Sequence, residues 1–124
     1  MFNKEYYAQK FIATFPAAQT VYDAHMTDYR ELLGHVFFAE VINEPLADLL
    51  RGNSDRAAIG KYVALIEDMY TNGDEAVKNI VVVSILERLG DDKTILKNTY
   101  GYFSESLKQA SRDIETFWGR KYDF

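Results

Sequence analysis

The chain has 124 residues, 48% apolar and 27% charged, which fits one globular domain with its own core, and 1–124 is read as a single helical domain. A formal net charge of −5 with no basic face argues against nucleic acid, whose phosphates need one. The absence of cysteine excludes disulfide frameworks, thiol nucleophiles and cysteine-based zinc sites, and suits a reducing cytoplasm.

The opening MFNKEYYAQKF has no apolar core behind a basic segment and is not read as a secretory signal. Asn3 is placed to cap a first helix running to about Thr14, and Pro16 to open a second over PAAQTVYDAHM. Asp28, with Glu31 three residues later, has the form of a capping box. It is expected to start a helix through Leu32, Leu33, Val36, Phe37 and Val41 that Pro45 kinks or ends. The short piece PLADLL then runs to Gly52.

From Ser54, the apolar positions Ile59, Tyr62, Val63, Ile66 and Met69 keep helical spacing until Asn72-Gly73 ends the helix. Asp74 at once starts another, DEAVKNIVVVSILERLG, which is apolar on nearly every side. On a wheel of about 100° per residue, Val77 and Val81 oppose Val82, Leu86 and Leu89. Such a helix is wrapped by others or lies in a membrane, and 17 residues with five charges do not make a membrane span. The β-branched run Ile80–Val83 would also suit a strand, but helical periodicity continues on both sides and both ends carry caps. A short helical turn precedes Gly101, and a last helix carries Phe103, Leu107, Ala110, Ile114, Phe117 and Trp118. The fold expected is therefore all-α: a compact bundle of about five to seven helices, with 74–90 buried at the centre and 54–90 forming an αα-hairpin.

Glu31 and His35, at i and i+4 on the expected helix, could present an oxygen and an imidazole to one metal. With His25 or Asp28 as a further ligand this gives an alternative reading, a metal-dependent hydrolase. The favoured reading is structural, with Glu31 orienting a partly buried His35, and no metal or cofactor is expected. Ser84 lies inside a helix with no nucleophile-elbow frame, and the glycines stand singly, so neither a serine hydrolase nor a phosphate loop is indicated.

Two groups of acids lack sequence neighbours to balance them. Glu40, Glu44 and Asp48 stand at i, i+4 and i+8, forming an acidic ridge if the helix persists past Pro45. Glu67 and Asp68 precede the Asn72-Gly73 turn, and Asp74 and Glu75 follow it. The helix dipole explains acids at a helix start, but not Glu67 and Asp68. Such acids are ordinarily solvated helix faces; the alternative taken forward reads Glu40, Glu44, Asp48, Glu67 and Asp68 as a docking surface for a basic protein. Nine tyrosines, too many to bury, add interface-prone surface, and the tail FWGRKYDF could dock on its own body or on a second copy, which leaves homo-oligomerisation open.

The blocks ELLGHVFFAEV and GDEAVKNIVVVSILERLG resemble a family of small uncharacterised bacterial helical domains classed as a domain of unknown function. The second block is also similar to the inner helix of HEAT-type repeats. The resemblance implies binding rather than catalysis: a non-enzymatic, cytoplasmic protein-binding module, in the form of an immunity-type inhibitor of a basic toxin, with no nucleic-acid or membrane partner.

Overall fold

The computed structural model describes residues 1–120; 121–124, with Tyr122 and the end of the aromatic tail, lie outside the described residues. Among the described residues the chain forms seven helices and no strand. They are α1 (Lys4–Thr14), α2 (Ala18–Tyr29), α3 (34–52), α4 (Arg56–Asn72), α5 (75–89), α6 (Lys93–Thr99) and α7 (Glu105–Phe117). A single parallel bridge ties Phe2 to Gly73, where Phe2 N–H donates to the Asn72 carbonyl and Asp74 N–H to the Phe2 carbonyl.

Short polar side chains set most helix starts. Asn3, Asp55, Asp74, Asp92 and Ser104 each accept a backbone N–H from the first turn they precede, supplying partners that a helix N-terminus lacks. The expected starts at Asn3 and Asp74 are in place. The start expected at Ser54 falls at Asp55, and Pro16 stands in a turn before α2, whose first residue is Ala18.

The capping box at Asp28 and Glu31 does not form. α2 runs on through Asp28 to Tyr29, and Arg30 ends it in the left-handed conformation (φ 60°). Glu31 falls in the following bend, and α3 starts only at Gly34. Instead His25, on the preceding helix, accepts the N–H of Leu33, the residue just before α3, through Nε2 at 2.9 Å.

Pro45 does not end α3. The five residues Ala39–Asn43 form a π-helical turn just before it, and regular helix resumes over Glu44–Gly52. A wide turn moves the carbonyl four residues back away from the proline ring and needs no N–H there, so the helix passes Pro45 without breaking.

α5 is the central helix. Val77, Ile80, Val81, Ile85, Leu86 and Leu89 are all buried, and α3, α4 and α7 pack around its middle. Val83 remains 43% exposed, so the wrapping leaves one open strip. The β-branched run sits in a second π-helical stretch, Ile80–Leu86, packed against the one in α3. Between them Asn43 is buried and donates from Nδ2 to the Ile85 carbonyl at 3.1 Å, serving a carbonyl of the widened turn. Close approach of α3 to α5 needs Gly34, where a Cβ would stand 2.5 Å from Ile80 Cδ1. α4 and α5, joined through Gly73 and Asp74, form the expected αα-hairpin.

Candidate protein-binding surface

The metal candidates are dispersed. Glu31 lies outside α3, so it shares no helix face with His35, and Asp28 belongs to the end of α2. His25 is buried and committed to Leu33 N–H. His35 is exposed rather than partly buried, and its partner is Ser84 of the central helix, with Nδ1 and Oγ 2.6 Å apart, rather than Glu31. Among the described residues no three His, Cys, Asp or Glu side chains are grouped to hold a metal ion. His35–Ser84 joins an imidazole to a hydroxyl, but Ser84 is buried on a helix and the contact crosses the α3–α5 interface, where it fastens two core elements together.

Two of the expected docking acids have internal duties. Asp68, on α4, accepts from the Tyr7 hydroxyl at 3.0 Å and from Asn72 Nδ2 at 2.9 Å, and it pairs with the Lys10 ammonium. Burial pushes the Asp68 carboxyl up, but the hydrogen bonds from Lys10, Asn72 and Tyr7, together with the Lys10 charge, outweigh it, and the net shift is downward. Burial, then the Asp68 hydrogen bond, pushes the Tyr7 phenol far up, and the same carboxylate holds Lys10 above its usual value. The basic residue that the sequence around Asp68 lacks is supplied from 58 positions upstream. Glu67 is half-buried and accepts the Ser104 N–H at 3.0 Å, where the loop enters α7.

The other three acids are exposed on α3, which is continuous past Pro45. Asp48 is paired to Arg51 at 2.9 Å, with both groups solvated, so the pair is worth little. Glu40 and Glu44 have no hydrogen bond or ion pair among the described residues. They line a hollow of about 350 Å³ with Val36, Ala39 and Arg88. Arg88 lines the same hollow but makes no ion pair among the described residues.

Glu40 also borders a second depression, an apolar groove of about 250 Å³ where four helices meet. Phe11 of α1, Phe15 just after it, Ala17 just before α2, Val21 of α2, Pro45 of α3 and Tyr62 of α4 form its walls. The Phe15 and Tyr62 rings stack at 4.3 Å, and Phe11 closes on Tyr62 from behind at 6.0 Å. Burial raises the Tyr62 phenol pKa. No single helix's periodicity reveals this groove, because its walls come from separate helices, although Glu40, Val41, Pro45 and Tyr62 each figure in the sequence reading.

The tyrosines divide between packing and surface. Tyr7 and Tyr62 are buried, Tyr100 and Tyr102 donate to Ser111 and Asn53, and Tyr6 and Tyr29 are exposed. Phe117 and Trp118, placed on the last helix by their spacing, are exposed at its end instead of joining the core.

No helix among the described residues is long and apolar enough to cross a membrane. No curated protein and no solved structure matches the chain. The pattern of one family, described as a domain of unknown function (DUF7674), matches residues 8–119, nearly the whole length, and the chain belongs to that family.

Proposed function

We propose that the protein is a non-enzymatic binding module that captures a basic protein through the α3 surface around Glu40 and Glu44. One observation carries this reading: two carboxylates on a packed helix are exposed and have no hydrogen bond or ion pair among the described residues. Charges left unpaired on a chain of net charge −5 raise the encounter rate with a basic protein more than they raise final affinity. Glu67 and Asp68 drop out of this surface because their carboxylates serve Ser104, Tyr7, Lys10 and Asn72, and Asp48 is a minor contributor beside Arg51. Inhibition of a basic toxin in the cytoplasm, with the module acting as the immunity partner, is the biological form of the reading.

The test compares two baits, the parent and the Glu40→Lys, Glu44→Lys variant, in capture from an extract of the source organism. The reading expects a basic protein retained by the parent and lost from the variant, with equal thermal stability of the two baits. Retention of the same proteins by both baits contradicts it.

A further inference from the structure

The acidic surface alone does not say what holds a partner once it arrives; the groove beside it does. Its walls are apolar side chains, with a carboxylate at one edge and a single hydroxyl within. At about 250 Å³ it is smaller than ligand pockets, which run from roughly 300 to 1,000 Å³, and suits one large side chain. The Phe15–Tyr62 stack and the Phe11 contact hold the walls in place.

Tyr62 supplies a second, independent observation. Its side chain is only 8% exposed, yet its hydroxyl has no hydrogen-bond partner among the described residues. Buried tyrosine hydroxyls ordinarily find one. Among the described residues, the only fully sealed side-chain N or O atom without a partner is Asn43 Oδ1, so the Tyr62 hydroxyl is reachable from outside. An apolar slot with a reachable, unpaired hydroxyl and a free carboxylate at its edge is a set of contacts waiting for complementary groups.

We infer that this groove seats one apolar anchor of the basic partner, a side chain of leucine to phenylalanine size, with an adjacent lysine or arginine paired to Glu40. A partner backbone group then meets the Tyr62 hydroxyl. The inference rests on the protein-binding reading and adds to it the chemistry of the contact: a buried anchor inside a charged rim, the arrangement by which a few desolvated residues carry most of an interface's energy. The neighbouring hollow, where Glu40, Glu44 and Arg88 stand beside Val36 and Ala39, would contact the partner's rim.

The test uses the full chain and two synthetic peptides, each with a central residue flanked by lysines. The central residue is phenylalanine in one and serine in the other. Binding is followed by methyl and amide NMR shifts. The phenylalanine peptide is expected to move the Val21 and Val41 methyl signals and to bind about tenfold more tightly than the serine peptide, the worth of burying one apolar side chain. Ala17→Trp, which fills the mouth from an exposed position, should abolish that preference while leaving the fold intact by circular dichroism. Tyr62→Phe, which keeps the ring, should weaken binding several-fold. Equal affinity for the two peptides, shifts confined to other surfaces, or an Ala17→Trp variant with the parental preference overturns the anchor site. If binding then still falls in the Glu40→Lys, Glu44→Lys variant, capture by charge alone survives. If neither peptide binds at millimolar concentration, the anchor site is rejected, and the comparison of baits decides the wider reading separately.

Discussion

The Tyr7 hydroxyl reaches across 61 positions to Asp68 Oδ1, at 3.0 Å, and turns an acid that looks like docking surface into the hub of the α1–α4 contact. Tyr7 is fully buried, so Asp68 satisfies a donor that water cannot reach. Asp68→Ala removes the carboxylate that also holds Lys10 and Asn72 but leaves the Tyr7 hydroxyl the Asp68 backbone carbonyl at 3.1 Å, so it should cost about 1 kcal/mol. The pH dependence follows from the directions of the shifts. Asp68 titrates lower in the folded chain than its usual 3.8, so its contribution is present above that pH and fades as pH falls through the folded value. Tyr7 and Lys10 titrate higher than their usual 10.0 and 10.5, so theirs is complete below about pH 10 and fades as pH rises through the folded values. Chemical denaturation across pH should show both limbs, and both should be shallower in Asp68→Asn. Unchanged limbs in that variant would contradict the assignment.

Gly90 and Glu115 make a second long-range contact, fixed by the absence of a side chain. A Cβ at position 90 would lie 2.2 Å from Glu115 Oε2. A carboxylate at the end of a flexible side chain could ordinarily swing aside, but this one is buried and gripped by Arg120 through bonds of 2.9 and 2.7 Å. Gly90→Ala is therefore expected to lower stability by about 2 kcal/mol, as overpacking does. The Gly90→Ala, Glu115→Ala double variant should cost clearly less than the sum of the two single changes. Additive losses on thermal unfolding would show that the two positions do not compete for space.

Architecture was legible in the sequence wherever one segment carried its own signal. Asp74, the apolar wheel to Leu89 and the closing Gly90 identified the central helix within a residue of its ends, because caps and burial act locally. The failures lie where a distant group supplies what a neighbour was expected to give. Asp28 and Glu31 have the form of a local box, but α2 continues through Asp28 and His25 takes the N–H of Leu33 ahead of α3. Pro45 promised a break, which the π-turn over Ala39–Asn43 absorbs. At the surface, spacing singled out five acids, but it could not say that Lys10 and Tyr7 would claim Asp68 or Ser104 would claim Glu67. The groove beside Tyr62 could not be read as a site, since each helix contributes only one to three of its residues, even though Glu40, Val41, Pro45 and Tyr62 were each picked out singly.

The burial of α5 makes its own forecast. Val81 and Leu86 are both fully buried, and Val81→Asp or Leu86→Asp introduces a charge with no partner there. The loss should exceed about 4 kcal/mol, enough to unfold a domain of ordinary stability. A soluble variant with the parental melting temperature would overturn the central role of this helix.

His35 and Ser84 are coupled across the α3–α5 interface by their 2.6 Å contact. His35→Ala and Ser84→Ala should each lower stability by about 1 kcal/mol, with a coupling of similar size in the double-mutant cycle. His35→Gln should likewise lower stability modestly. Stoichiometric zinc or manganese in the purified protein, lost from His35→Gln, would instead favour the metal reading of this histidine.

The central claim, that unpaired carboxylates on α3 recruit a basic protein, is tested most directly by the association rate constant as a function of salt, measured for the purified partner with parent and Glu40→Lys, Glu44→Lys protein. The account predicts a rate for the parent that falls steeply as ionic strength rises, since exposed charges are screened over about 10 Å at 0.1 M. It predicts about tenfold slower association for the variant at low salt, converging with the parent at high salt. Equal rates at low salt, or a parent rate indifferent to salt, would contradict it.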